Sequence, residues 1–183
     1  MTAPTILPGL AAGTWTIDPT HSTVAFSVRH LMVSKVRGTF NTFSGSIEVP
    51  ESGTPVVTAE IVLDSFDTKN EQRDGHVRSA DFLEVEKFPT MTYRSTGLRS
   101  SGGDIVVDGE LTLHGVSKPV ELELEYSGVN PGMGAGTVAG FEARTEINRG
   151  DFGISIQMPL EGGGVVVGEK ITISLDIEAV LQG

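Results

Sequence analysis

The chain has 183 residues with 24 acidic and 13 basic side chains, giving a formal net charge of −11, and it contains no cysteine. This charge repels phosphate backbones and anionic membrane surfaces, which argues against nucleic acid as a partner. Disulfides, thiolate zinc sites and cysteine nucleophiles are excluded. No apolar run approaches the ~18 residues of a membrane span, so integral membrane association is not expected.

The amino-terminal residues, MTAPTILPGLAAG, have no basic region, and Pro4 and Pro8 interrupt their apolar stretch. They therefore do not resemble a signal peptide, and a cytoplasmic location is the expectation. We expect residues 1–12 to form a flexible segment and residues 13–183 to form one domain.

Apolar and polar residues alternate through most of the chain, which is the pattern of strands with one buried face. In the first such stretch, the apolar positions up to Phe40 are even, and from Phe43 they are odd. This change of parity predicts a bulge near Asn41-Thr42. Later alternating stretches are Val57–Leu63, Met91–Ser95, Ile105–Leu113, Val120–Tyr126, Phe141–Ile147 and Ile171–Ala179. About eight strands joined mainly by short links predict an all-β fold in which an antiparallel sheet closes into a barrel.

One long departure from this pattern lies between residues 64 and 93. The stretch from Asn70 to His76 is polar without alternation, an apolar pattern restarts at Phe82, and Pro89 ends it. We expect a short helical insertion at about residues 68–88 that covers one end of the barrel.

Two interpretations of this insertion remain open. In one, Arg73, His76 or Arg78 turns toward the barrel mouth and meets the polar headgroup of a ligand. In the other, the charged residues form a solvated face while Phe82, Leu83 and Phe88 seal the core.

A barrel of eight strands either fills with side chains or holds one small ligand. Small residues recur on the apolar faces, which favours a cavity, although Gly45 and Gly109 equally suit bulges or close packing. His30 shares the parity of Phe26 and Val28, so it is a candidate polar contact. The candidate ligand-binding residues are Phe26, Val28, His30, Phe40, Phe43, Ile61, Leu63, Arg73, His76, Phe82, Met91, Leu111, Leu113 and Phe152.

The sequence gives little indication of a metal site or of a catalytic triad. The four histidines are at least nine residues apart, so no metal site is indicated. The run from Asp18 to Ser22 contains an acid, a histidine and a serine, but it is also ordinary turn chemistry without a nucleophile elbow.

Two functional alternatives stay open beside ligand binding. One is an enzyme for an apolar substrate that uses His30 or His76 with Asp74 or Asp81 as an acid-base pair. The other is a filled barrel that serves as an interaction scaffold.

Several motifs occur in a recognisable order. They are W-x-I-D-P-x-H-S at residues 15–22, V-x-F-x-V-x-H-L at 24–31, V-R-G-x-F-x-x-F-x-G at 36–45, the run from Asn70 to Pro89, G-E-L-T-L-H-G-V at 109–116 and I-N-R-G-D-F-G at 147–153. With these motifs the chain resembles the YceI-like, polyisoprenoid-binding proteins. The resemblance implies an extended, eight-stranded, lipocalin-like barrel whose channel holds an isoprenoid lipid, either a polyprenyl chain or a quinone tail. It further implies a binding protein with no catalytic residues and no cofactor beyond that lipid, often a homodimer.

Overall fold

The computed structural model describes residues 6–30, 33–134, 136–154 and 167–182. Within these residues lie eleven strands, one α-helix and two short 3-10 turns, Leu63–Ser65 and Arg149–Phe152. The regular elements are β1 Gly13–Ile17, β2 Thr23–His30, β3 Ser34–Phe40, β4 Phe43–Val49, β5 Val56–Val62, β6 Phe66–Asp67, α1 Glu71–Arg78, β7 Thr90–Ser101, β8 Asp104–Leu113, β9 Val116–Asn130, β10 Val138–Asn148 and β11 Val167–Leu181.

All of these strands belong to one antiparallel sheet, in the order β1-β4-β5-β7-β8-β9-β10-β11-β2-β3-β6, and β1 also pairs with β11. β1 and β2 both pair with β11, β4 and β3 pair with β1 and β2 respectively, and β5 and β6 pair with β4 and β3 respectively. The pairs β1 and β2, β3 and β4, and β5 and β6 are therefore each two halves of one bent strand. The result is the closed, eight-stranded antiparallel barrel that the alternation predicts. Closure removes most sheet edges, but residues 34–38 of β3 pair only with β2.

The bend between β3 and β4 lies at Asn41-Thr42, where the change of parity predicts a bulge. Phe40 pairs with Val24 in the first half, and Phe43 pairs with Ile61 in the second. The two intervening residues allow both phenylalanines to pack against the same core, although one lies at an even position and the other at an odd one. The strand is interrupted at the predicted position, and the bulge itself stays a prediction.

The helix α1 begins where its sequence provides a cap. The side chain of Asn70 accepts a hydrogen bond from the Arg73 amide at 3.0 Å, which satisfies one of the free amides of the first turn. The helix ends at Arg78, and turns continue up to Phe88 before β7 begins. The predicted insertion at about residues 68–88 is therefore present, but less than half of it is helical.

We expected residues 1–12 to be flexible. The described part of this segment, residues 6–12, contacts the barrel. Leu7 is buried in a cluster that also contains the fully buried Trp15. The Trp15 indole donates to the Ala11 carbonyl at 2.9 Å, and the Tyr126 hydroxyl donates to the Pro8 carbonyl at 2.8 Å. The division into a terminal segment and a single domain stays a prediction.

Candidate functional site: an apolar channel with a polar rim

An inner chamber of about 150 Å³ lies inside the closed ring of strands. Its walls are almost entirely aliphatic and aromatic, and Leu7 of the amino-terminal segment borders it. The hydroxyl of Ser95, one of its few polar groups, already accepts a hydrogen bond from the Val57 amide at 2.7 Å. The inner chamber therefore selects for apolar groups, since a polar group placed there would lose water without gaining a partner.

An outer chamber of about 490 Å³ lies between the β2–β3 hairpin and α1. Phe26, Phe40 and Phe66 form an aromatic wall, with the rings of Phe26 and Phe66 stacked 5.0 Å apart. Exposed residues of the barrel end, among them Asn70 and Gln72, also border this chamber. Its volume falls within the usual range of sites for small molecules.

Val24, Met91 and Ile173 border both chambers. The two chambers are therefore adjacent, and these three side chains form the boundary between them, which we call the neck. We refer to the two chambers and the neck together as the channel.

The polar rim of the outer chamber contains Arg73, and its position depends on a buried hydrogen-bond network. Asp74 is 5% exposed and accepts hydrogen bonds from the Thr68 amide, at 3.0 and 3.1 Å, and from the Thr68 hydroxyl. Arg73 donates from Nε to the Thr68 hydroxyl at 2.8 Å and from Nη2 to the Thr68 carbonyl at 3.0 Å. Through these hydrogen bonds, Thr68 connects the start of α1 to the barrel and positions the Arg73 guanidinium at the rim of the outer chamber.

A second cation at this chamber is Arg149, which is 3% exposed. Its Nε donates to the Gly168 carbonyl at 3.0 Å, and Nη1 donates to the Ile154 carbonyl at 2.7 Å. Burial lowers the pKa of Arg149 from its ordinary value, and the charge of Glu169 opposes this change. The carbonyl partners offset part of the cost of burying this charge.

The structure brings most of the predicted ligand-binding residues to the channel. Those at the inner chamber are Phe43, Ile61, Met91 and Leu111, and those at the outer chamber are Phe26, Val28, Phe40, Arg73, His76, Phe82, Met91 and Leu113. Their contact with a ligand stays a prediction.

Two predicted residues are not placed there. Leu63 and Phe152 are fully buried core residues that border neither chamber. The side chain of His30 lies outside the described residues, although its backbone pairs with Ser34. Arg78, a candidate headgroup contact, instead donates to the Phe66 carbonyl and lies 3.8 Å from an oxygen of Asp64.

Sequence reasoning missed much of the channel wall on the carboxyl-terminal strands. Phe141, Ala143, Ile173, Leu175 and Ile177 all border the inner chamber. Their alternation was visible in the sequence, and the same parity argument that selected Phe26 would have selected them.

The alternative acid-base pairs differ in their surroundings. His76 Nε2 lies 3.0 Å from an oxygen of Asp81, but the two side chains are 45% and 58% exposed. Asp74 is engaged by Thr68, so it is a structural anchor of the insertion. The His76–Asp81 pair is therefore open to water on the surface of the insertion.

One group within the described residues has the geometry of metal ligands. His21 Nδ1 lies 2.7 Å from Asp18 and 3.4 Å from Glu178, and the three ligand atoms lie within 4.8 Å of one another. The pKa of His21 is raised, first by its hydrogen bond to Asp18 and then by the charge of Glu178. Ser22 instead exchanges hydrogen bonds with the Glu178 backbone, so no catalytic triad forms.

A closed antiparallel barrel around an apolar channel defines the class of this protein, and the comparisons with known proteins define its family. The chain belongs to the family of the YceI-like domain, whose model matches residues 15–179. It is 35% identical over 168 residues to a UPF0312 protein of Staphylococcus aureus strain MSSA476, covering 90% of this chain and 95% of the relative.

Solved structures show the same fold. A mutant YceI protein of Campylobacter jejuni with a monobromobimane guest is 27% identical, with a TM-score of 0.71 over 85% of this chain and 90% of that one. BcnA of Burkholderia cenocepacia is 20% identical, with a TM-score of 0.74 over 90% and 99% of the two chains. A polyisoprenoid-binding domain of Saccharophagus degradans is 18% identical, with a TM-score of 0.71 over 92% and 98%. Among the described residues, no helix is both long and apolar enough to cross a membrane.

Proposed function

We propose that this protein binds an isoprenoid lipid in the channel and carries or stores it. The observation that carries the proposal is the adjacency of two largely apolar chambers that share Val24, Met91 and Ile173 in their walls. A polyprenyl chain or quinone tail is long, thin and apolar, which matches this space. That a neighbour of the same fold is a polyisoprenoid-binding domain is consistent with this choice of ligand.

The orientation of the ligand follows from the polarity of the two chambers. The tail occupies the inner chamber, where the walls are apolar, and the headgroup lies at the rim near Arg73 and His76. The opposite orientation would bury a polar headgroup without hydrogen-bond partners, which costs about 1–3 kcal/mol for each unsatisfied group.

Mass spectrometry of lipids extracted from natively purified protein tests this proposal. We expect an isoprenoid lipid at close to one molecule per chain, or stoichiometric uptake of an added polyprenyl compound by lipid-free protein. Protein that is consistently lipid-free and that also refuses added polyprenyl compounds would refute it.

The enzymatic alternative uses the His76–Asp81 pair at the rim. It predicts that an extracted lipid is chemically altered on incubation and that His76→Ala abolishes the change. We propose a binding role without catalysis, for which the lipid is recovered unaltered. Homodimerisation and a cytoplasmic location remain predictions, which light scattering and cell fractionation test.

A further inference from the structure

The β2–β3 hairpin is a basic region in an acidic chain. Between Asp18 and Glu48 the sequence contains no aspartate or glutamate, whereas the rest of the chain carries all 24 acidic residues. The same stretch contains Arg29, Lys35 and Arg37. The net charge of −11 therefore does not describe the surface that the hairpin presents.

The register of the hairpin places these cations together on its outer face. Arg29 lies directly opposite Lys35, and Arg37 lies opposite Ser27 on the same face. The alternate residues Phe26, Val28 and Val36 border the outer chamber on the other face. All three cations are exposed.

Nothing in the described parts of the chain neutralises this face. No ion pair there joins Arg29, Lys35 or Arg37 to a carboxylate. The bulge of β11 opposite Arg29 contains Glu169 and Lys170, and Lys170 lies 3.9 Å from Glu146, so Glu169 is an acidic neighbour of Arg29 but not of Lys35 or Arg37 on β3. The cations are therefore available to a partner outside the molecule.

The arrangement is unfavourable for the fold itself, because like charges directly opposite each other destabilise a pair of strands. Cationic residues often protect sheet edges from unwanted pairing, and β3 is paired on its far side only at Thr39 and Phe40. That role does not explain Arg29, since β2 pairs with β3 on one side and with β11 on the other. An external anionic surface explains all three cations.

We propose that the outer face of the β2–β3 hairpin docks on an anionic lipid membrane and brings the mouth of the outer chamber to the lipid surface. This inference rests on the proposed function, because it supplies the route by which a membrane lipid reaches the channel. Arg29 borders the outer chamber, so the docking face and the mouth are continuous. Val33, at the tip of the hairpin, is 82% exposed and would enter the interface between water and lipid.

The acidity of the whole chain does not prevent such docking. Charges separated by more than about 10 Å are largely screened at 0.1 M salt, so the basic face interacts with the membrane independently of distant carboxylates. Each cation near an anionic surface strengthens binding about five-fold. Docking is then reversible and sensitive to salt, as delivery or collection of a lipid requires.

Flotation of the full chain with lipid vesicles tests the docking. Vesicles of phosphatidylcholine alone are compared with vesicles that also contain phosphatidylglycerol, at low and at high salt. The test variant is Lys35→Gln with Arg37→Gln, neither of which borders a chamber. The control is Lys118→Gln with Arg144→Gln, which makes the same change in net charge at two exposed cations elsewhere on the barrel.

We expect the wild type to bind the anionic vesicles preferentially and to release them at high salt. The Lys35→Gln/Arg37→Gln variant should bind roughly 25-fold more weakly, since two cations each contribute about five-fold. The control variant should bind as the wild type does. Transfer of a polyprenyl probe from vesicles should slow in the test variant, while uptake of the same probe from detergent stays unchanged.

Equal binding of the wild type to neutral and anionic vesicles would overturn the docking proposal, and so would equal losses in the test and control variants. A salt-sensitive dimer, abolished by the test substitutions and seen by light scattering, would overturn it by assigning the face to a second copy. Wild type that binds anionic vesicles through the hairpin yet takes up no polyprenyl probe would support docking and refute the proposed function.

Discussion

The hydroxyl of Tyr93 donates a hydrogen bond to the carbonyl oxygen of Val120 at 2.9 Å, inside the barrel wall. To reach β9, the Tyr93 ring crosses the intervening strand β8 directly over Gly109, where a Cβ atom would overlap the hydroxyl. Burial raises the pKa of Tyr93, and the charges of Asp108 and Glu121 add to this effect, so the phenol stays protonated as a donor. The Tyr93 side chain thus links β7 to β9 across β8 in the wall of the inner chamber.

Gly109→Ala should destabilise the barrel because the new methyl group overlaps the Tyr93 ring and lies close to the Arg94 carbonyl. Overpacking of this kind costs about 1–3 kcal/mol in the free energy of unfolding, measured by urea denaturation. Gly75→Ala is the control, because no atom lies within 4 Å of its Cβ position in α1. That substitution should stabilise the helix by about 0.5–1 kcal/mol, and equal effects at the two sites would contradict the packing account.

Tyr93→Phe removes the donor and leaves the buried Val120 carbonyl without this partner. We expect a loss of about 1–3 kcal/mol in the free energy of unfolding, with the inner chamber otherwise unchanged. An unfolding free energy equal to that of the wild type would show that water or another group satisfies the carbonyl.

Asp74→Ala should loosen the insertion that covers the outer chamber. It leaves the buried Thr68 amide and hydroxyl without their acceptor, at a cost of about 1–3 kcal/mol. Hydrogen exchange of the α1 amides should accelerate, whereas Glu71→Ala, which removes an exposed carboxylate from the same helix, should have little effect. Unchanged protection of α1 in Asp74→Ala would contradict the anchoring role.

The His21–Asp18 pair should make stability depend on pH. The pKa of His21 is raised above its ordinary value of 6.5, so its contribution is fully present below pH 6.5 and is lost as the pH rises through the folded-state pKa. The pKa of Asp18 is lowered, first by the hydrogen bond from His21, so its contribution is present above pH 3.8 and is lost as the pH falls through the folded-state pKa. The pair therefore stabilises the fold most between about pH 4 and 6.5.

Titration of the His21 ring by NMR checks this coupling. Asp18→Asn should shift the His21 pKa downward, toward its ordinary value, because the largest cause of the raised pKa is removed. Asp176→Asn removes a carboxylate from the same strand as Glu178 and serves as the control. If both variants titrate like the wild type, the hydrogen bond at 2.7 Å does not control this group.

Alternation predicted the barrel because it depends only on neighbours in the chain. Whether a small residue leaves space depends on residues that are distant in sequence. Ala59 and Ala143 do border the inner chamber, but Gly38 and Gly109 are covered by the rings of Phe26 and Tyr93. The cross-strand register that brings these rings over the glycines cannot be derived from alternation alone.

Local geometry also limited the prediction of individual site residues. Leu63 has the parity of a channel residue, but a 3-10 turn begins at Leu63 and ends the alternation of β5, so its side chain enters the core. From the sequence alone, Asp74 is a candidate acid-base residue because it lies in the polar insertion close to His76. Its burial against Thr68 depends on where α1 starts, which the polar sequence of the insertion predicts only approximately.

We propose that one apolar ligand extends from the outer chamber past the neck into the inner chamber. Ala143→Trp fills the inner chamber without touching the outer one, and Thr92→Trp places the same side chain at an exposed position of β7 as a control. Dissociation constants are measured for a long polyprenyl ligand and for a short isoprenoid that fits the outer chamber alone. Each methylene excluded from the inner chamber costs about 0.8 kcal/mol of binding.

We expect Ala143→Trp to bind the long ligand at least ~10-fold more weakly than the wild type, since the loss of two buried methylenes suffices for this effect. The short ligand should bind Ala143→Trp and the wild type equally well, and Thr92→Trp should match the wild type for both ligands. Equal affinity of Ala143→Trp and the wild type for the long ligand would contradict the claim that its tail occupies the inner chamber.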